Sequence, residues 1–292
     1  MFINCKLLFS AVLLLNLVVP AFSFEPSGGV LVLDGKDDYA ILHLAEHGYI
    51  FPKNTHAFTA EIWFYPKSEP KAGENHIILS QQVLFGLTGR CGFKLNKNQV
   101  CCSGSAQLEG KVRGVLGVKV AVEKDQWNYV AIVYKDRKLG FAYNNQFFRT
   151  QEIVLMNRVA AELRLVEELK NFFVGGFHED RFIIKDGKVL SRRTYFRGEI
   201  DAIRFSNIAR YNLPAGLKTE PFDPPHRFFS DEHTIALWNF DEKAGANRFQ
   251  DASGSGKTLI GMNGVTTSGA LAVNPADTSI TMTWGQIKSE SF

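Results

Sequence analysis

The chain has 292 residues, 45% of them hydrophobic and 12% aromatic, with 33 Lys+Arg against 30 Asp+Glu. That hydrophobic fraction excludes a disordered chain. The near-cancelling charge, +3 overall, argues against a nucleic-acid binder, which needs a clustered basic face, and the length allows one large domain or two small ones at roughly 100–200 residues each.

Residues 1–23 read as an export signal rather than as fold. Lys6 is their only charge, Leu7 to Val19 is almost wholly apolar, and Pro20 breaks the run ahead of Ala21-Phe22-Ser23. This is the small-x-small pattern of a signal-peptidase site. The apolar run, about 13 residues, is too short for a bilayer, which needs roughly 20 in a helix. No later run is long and apolar enough to span. The sequence therefore predicts a secreted or periplasmic product starting at Phe24, with no membrane span after cleavage.

From Phe24 onward strand signals dominate. Val30–Asp34 is a short apolar run ending at Asp34-Gly35. Ala57–Tyr65 alternates, with Phe58, Ala60, Ile62 and Phe64 on one face and Thr59, Glu61, Trp63 and Tyr65 on the other, and Pro66 closes it. Period two with aromatic and β-branched residues predicts a half-buried strand. His76–Ser80 reads as a strand too, after a turn at Gly73-Glu74-Asn75.

Cys91 to Cys102 then reads as a hairpin with its turn at Asn96–Asn98. Centring the turn on Asn96-Lys97 sets Cys91 opposite Cys102 and predicts a cross-strand disulfide, with Cys91–Cys101 as the alternative. Cys5 leaves with the signal, so an odd number of cysteines enters an oxidising compartment. No Cys or His pair has zinc spacing.

Trp127–Tyr134, Lys138–Asn144, Phe172–Gly175, Gly198–Phe205 and Thr234–Phe240 complete the strand series. Turn signals separate them, at Lys53-Asn54, Asn144-Asn145 and Asp186-Gly187 among others. Between them, Val159, Leu163, Val166 and Leu169 make a helical stripe over Asn157–Lys170, expected to lie over one sandwich edge. Pro221-Phe222-Asp223-Pro224-Pro225 reads as a stiff surface linker. The tail from Ser268 is small and polar, with partial order expected and Trp284 as its one anchor. Many strands at this spacing predict an all-β sandwich.

Several of these segments resemble motifs of laminin G-like, concanavalin A-like jelly-roll domains. Leu33-Asp34-Gly35-Lys36-Asp37-Asp38-Tyr39 is similar to their "F-D-G-x-D-D-Y" opening, and Phe58 to Phe64 to "F-T-x-E-x-W". Trp127 to Tyr134 matches "W-x-h-V-A-x-x-Y". Leu139 to Asn144 resembles "L-x-L-Y-V-N-G", with Asn145 in place of the Gly. Arg197 to Arg204 resembles "F-x-G-x-I-D-E-V-R", with Ala202 where an acid is common. No single motif is specific; the ordered set, from Val30 to about Tyr211, is.

A further segment, Ala236-Leu237-Trp238-Asn239-Phe240-Asp241-Glu242 with Asp251-Ala252-Ser253-Gly254, resembles the "W-x-F-D-E…D-x-S-G-N-G" stretch that usually opens such domains. Here it comes last. The organisation this implies is a signal peptide over 1–23, one antiparallel two-sheet jelly roll over 24–267 with a permuted closing strand near 234–242, and a partly ordered extension over 268–292. A truncated second repeat is the alternative for the closing segment.

Candidate chemistry is sparse. Jelly-roll enzymes acting on β-glucans carry three acids along one strand, so that nucleophile and general acid flank the sugar about 5–5.5 Å apart. Glu199-Ile200-Asp201 begins such a pattern, but positions 203 and 204 are Ile203 and Arg204, and the third acid is absent. Asp251-Ala252-Ser253-Gly254-Ser255-Gly256-Lys257-Thr258 superficially suggests a phosphate loop, but Asp251 stands where Gly is needed and would repel phosphate. It reads as a glycine-serine turn. No Gly-x-Ser-x-Gly elbow stands in a strand–helix context. His43, His47, His56, His76, His178, His226 and His233 are scattered, and surface or packing roles are expected for them.

The resemblance implies one structural calcium ion where the first strand meets the last, with Asp34 and Asp201 as its ligands and Asp37 and Asp38 as weaker candidates; exported proteins meet calcium, and hard oxygen ligands suit it. Carbohydrate binding needs exposed aromatics. Trp63, Trp127 and Trp238 fall in strand motifs and are expected in the core, whereas Tyr195, Phe196, Phe228, Phe229 and the loop Glu179-Asp180-Arg181 lie near turns. The function expected is a non-catalytic exported recognition or adhesion module for glycan or an extracellular protein. A polysaccharide hydrolase or lyase and a purely structural envelope or matrix protein are the alternatives.

Overall fold

A computed structural model describes residues 24–26, 28–50, 56–71, 74–80, 83–88, 101–108, 112–115, 120–122, 124–136, 138–152, 171–176, 184–185, 188–189, 192–214 and 219–269. The expected signal peptide, the helical stripe over Asn157–Lys170, Cys91, the Glu179-Asp180-Arg181 loop and Trp284 lie outside these residues.

In chain order the strands begin with β1 (Leu31–Asp34), β2 (Tyr39–His43), β3 (Ala57–Pro66), β4 (Glu74–Ser80), β5 (Val83–Thr88), β6 (Cys101–Leu108) and β7 (Val112–Val115). They continue with β8 (Val120–Ala121), β9 (Asn128–Lys135), β10 (Lys138–Tyr143), β11 (Gln146–Glu152), β12 (Asn171–Val174), β13 (Ile184–Lys185) and β14 (Lys188–Val189). The last are β15 (Arg192–Tyr195), β16 (Arg197–Ser206), β17 (Thr219–Pro221), β18 (Thr234–Trp238), β19 (Arg248–Phe249), β20 (Leu259–Met262) and β21 (Thr266–Thr267). One helical turn, α1 (Leu44–His47), follows β2. β4 starts at Glu74, inside the stretch read as a turn.

The fold is a two-sheet antiparallel jelly-roll sandwich. One sheet runs β17-β11-β10-β9-β3-β16-β1-β21, with β18 also on β16. The other runs β19-β20-β2-β12-β4-β5-β6-β7, with β15 and β8 as side branches. β15 is parallel to β4, an exception in an otherwise antiparallel scheme. In the second sheet Cys101 and Cys102 stand opposite Thr88 and Leu87. The expected Cys91–Cys102 disulfide lies outside the described residues.

Alternation along β3 places Phe58, Ala60, Ile62 and Phe64 in the layer between the sheets, against Leu42, Ile78, Phe172, Val174 and Trp238. Its other face carries the polar Thr59 and Glu61 beside Trp63 and Tyr65. Thr59, Glu61 and Trp63 are buried as well. A second apolar layer covers this outer face: Trp63, Tyr129, Ala131, Val133, Ala202 and Leu237 pack under Phe24, Tyr211, Leu213, Phe222 and Phe228. Phe24 stacks on Trp63 with ring centroids 3.8 Å apart, and the Trp63 indole N–H donates to the Pro225 carbonyl at 2.9 Å. The Pro-rich stretch is therefore part of a strap packed on the sheet. Trp63 and Trp238 are fully buried, as their motifs predict; Trp127 is only half-buried, against Phe24 and Tyr65.

β16 organises the molecule. One of its edges pairs with β3. Its other edge is shared end to end by β1, opposite 197–200, and β18, opposite 203–206. The segment 234–267 feeds both sheets, because β18 and β21 join the first and β19 and β20 join the second.

Candidate functional site

The seam where β1 and β18 meet on β16 holds one buried acid, Asp201, with the exposed Asp241 near it. A bulge falls between Ile200 and Ala202, so Asp201 is the extra residue of the ladder. Bulges re-aim side chains in this way. Asp201 is 4% exposed, and no hydrogen bond to its carboxylate is seen among the described residues. Burial, together with the nearby Asp241, pushes its pKa up to about 7, and Arg227 only partly offsets this.

Asp241 reaches the seam because Phe240, with φ of 55°, turns the chain out of β18 while its ring stays in the core. The Gly29 amide donates to Asp241 Oδ1 at 3.1 Å. Gly28 lies directly against it, since a Cβ there would stand 1.8 Å from the same oxygen and push the Asp241 carboxylate aside. The buried Asp201 carboxylate and the exposed Asp241 carboxylate, which faces Arg227 Nη2 at 3.5 Å, are hard oxygen donors of the kind a divalent cation takes.

Asp34 is elsewhere. It stands opposite Arg197 in the β1–β16 register, four residues and thus about 13 Å along the strand from Asp201. It is grouped instead with Asp37 and Asp38, whose carboxylate oxygens lie within 4.8 Å of one another. The Asp34 amide donates to Asp38 Oδ2 at 2.9 Å and the Lys36 amide donates to Asp34 Oδ1 at 2.7 Å. The hydrogen bond from Asp38 holds Asp34 down at about 2, while burial pushes Asp38 up to about 6. The turn thus supplies its own partners to Asp34.

Glu199 and Asp201 sit in different settings. Glu199 is ion-paired with Lys67 at the sheet's rim, while Asp201 is sunk beside Asp241. Asp251 is saturated by the turn it organises. It accepts from the amides of Leu237, Ser253 and Lys257 at 3.0, 2.9 and 3.1 Å and from the Ser255 hydroxyl at 2.6 Å. The loop's own amides are thereby spent on a carboxylate.

The histidines stay apart: His43 bonds to Asn171, His47 faces Glu46, and His226 stacks over Phe24. Of the aromatics near turns, Phe196 and Phe228 are buried and Tyr195 is half-buried against Tyr39, whereas Phe229 is exposed.

Sequence reasoning missed a buried network on the covered face. Glu61, fully buried, takes Arg204 Nε at 2.8 Å and the hydroxyls of Tyr129 and Tyr211 at 2.8 and 2.5 Å. Burial pushes both tyrosines above their ordinary range. The charged pair at alternating positions of neighbouring strands reads as a solvated face unless the strap is known.

No protein-family model matches the chain, and no curated protein matches it. Solved structures with a similar fold include the heptameric SAP-like pentraxin of Limulus polyphemus, 12% identical over 65% of this chain and 80% of that one, with a TM-score of 0.35. Domains LG4-5 of the mouse laminin α1 chain are 11% identical over 68% of this chain and 47% of that one, with a TM-score of 0.37. The enzymatically active domain of bacteriophage CBA120 tailspike protein 2 is 9% identical over 65% of this chain and 30% of that one, at 0.34. At this level of likeness the fold assignment stands on the strand topology.

Proposed function

We propose that the protein is a non-catalytic recognition module acting outside the cell, with glycan or an extracellular protein as its ligand. The observation that carries this reading is the sealing of the nine-stranded sheet. Its inner face is the core, its outer face lies under the strap, and the acids suspected of glycoside chemistry are separated, one tied to Lys67 and one buried at a bulge. Rims and turns are what such a body presents. No helix among the described residues is long and apolar enough to cross a membrane.

Calcium belongs to the proposal as a structural element. Asp201 and Asp241 would hold it at the seam, where it would neutralise one buried and one exposed carboxylate and tie the start of β1 to the end of β18. Asp34 is the weaker candidate, because its own turn already satisfies it.

The test is a glycan array and an extracellular-protein array run in calcium and in chelator, beside a polysaccharide turnover assay. Saturable binding without turnover is expected. Turnover that disappears in the Glu199→Gln, Asp201→Asn double variant would overturn the reading in favour of an enzyme.

A further inference from the structure

We propose that the turn carrying Phe229 is the glycan contact, with the Phe229 ring as a stacking platform for one sugar ring. This rests on the recognition reading above and names its ligand class and place.

Phe228 and Phe229 are neighbours with opposite fates. Phe228 is buried under the Arg204 guanidinium, whose central carbon lies 4.8 Å from the ring centroid. Phe229 is 69% exposed, and among the described residues Tyr49 is the only other large hydrophobic classed as exposed.

The position is held rigidly. Arg204 Nη1 donates to the Phe229 carbonyl at 3.3 Å. Two residues on, Arg210 grips Asp231 with both guanidinium nitrogens, at 2.8 and 2.6 Å. Arg210 is itself fixed, its Nε donating to Ser206 Oγ at 2.6 Å and its amide to Thr59 Oγ1 at 2.9 Å. The Thr234 amide returns to the Asp231 carbonyl at 3.0 Å, and the Asn207 amide to the His233 carbonyl at 3.0 Å. The charge network of the sheet thus anchors both sides of one exposed ring, which is the preorganisation a weak, small-area ligand requires.

Size and surroundings select the ligand. A stable protein partner needs about 800 Å² per side and a cluster of anchors around a dry centre. Here one ring stands alone in a stretch whose other exposed members, His226, Arg227, Ser230, Asp231 and Glu232, are polar. One flat apolar ring within a polar rim fits the C–H face of a pyranose, with the rim taking its hydroxyls.

The experiment compares the protein with its Phe229→Ala and Phe229→Trp variants on the glycan array, followed by titration of the best hit. Thermal melts check each variant. Phe229→Ala is expected to lose at least tenfold in affinity with an unchanged melting temperature, while Phe229→Trp keeps binding and adds a fluorescence change on titration. If Phe229→Ala binds the hit as the parent does, or the added indole emission of Phe229→Trp stays silent at saturation, this site is wrong and the recognition reading survives. If the parent binds no glycan but binds a protein through Phe229, the sugar assignment is overturned. If it binds nothing on either array, both readings fall.

Discussion

Glu61 carries a carboxylate into a place with no solvent, and it does so on a strand whose neighbours are Ala60, Ile62 and Trp63. Arg204 and two tyrosine hydroxyls meet it there. Such a set is costly to break and cheap to replace whole. Removing one partner strands an uncompensated charge, at about 3–5 kcal/mol, whereas exchanging the pair for apolar residues is often neutral. Glu61→Ala should therefore destabilise the protein by about that amount in urea unfolding, and the Glu61→Leu, Arg204→Met double variant should recover most of it. A single-variant loss below about 1 kcal/mol would mean that the strap does not seal this face. Because Arg204 also holds Phe229 in place, the double variant should weaken glycan binding while restoring stability.

At the scale of elements, the seam is where the chain's own logic is incomplete. β1 and β18 share one edge of β16 without a common hydrogen-bond ladder, and Asp201 falls on β16 between the stretches they pair with, close enough to Asp241 to feel its charge. A cation bound only by the folded state stabilises it by RT ln(1 + [L]/Kd), about 2.7 kcal/mol at a hundredfold excess over Kd. Calcium should therefore raise the melting temperature of the protein relative to chelator, and neither Asp201→Asn nor Asp241→Asn should respond. In chelator Asp201→Asn should melt no lower than the parent, because it removes a buried charge without removing a hydrogen bond. An equal calcium response in all three proteins would place the ion elsewhere, with the Asp34 turn the next to try.

The strands of this sheet were legible from alternation and motif order: β1, β3, β9, β10, β16 and β18 all start and end within a residue or two of the apolar runs. The bulge at Asp201 was not, since register depends on the partner strand. The strap was not either, because Tyr211, Phe222 and Phe228, at uneven spacing in the sequence, pack against the sheet with no period to read.

The whole molecule closes through its last described segment. Residues 234–267 put β18 and β21 into one sheet and β19 and β20 into the other, and they bury Trp238, Phe240, Phe249 and Leu259 between them. Trp238 stacks on Phe172 of the opposite sheet at 5.9 Å, and its indole N–H donates to the Lys257 carbonyl at 2.7 Å, so one residue ties the turn around Asp251 to the core. A terminal add-on repeat would leave both sheets standing without it; a closing segment would not. Ending the chain at His233 should thus abolish cooperative unfolding and expose the core to a hydrophobic dye, whereas the intact protein unfolds in one transition seen alike by tryptophan fluorescence and circular dichroism. Trp238→Ala is the milder version, costing about 3–5 kcal/mol by the usual scale for a buried aromatic while keeping the single transition. A shortened chain that melts cooperatively at the parent temperature would show that 234–267 is an appendage, and the shared edge of β16 would then owe its order to β1 and β3 alone.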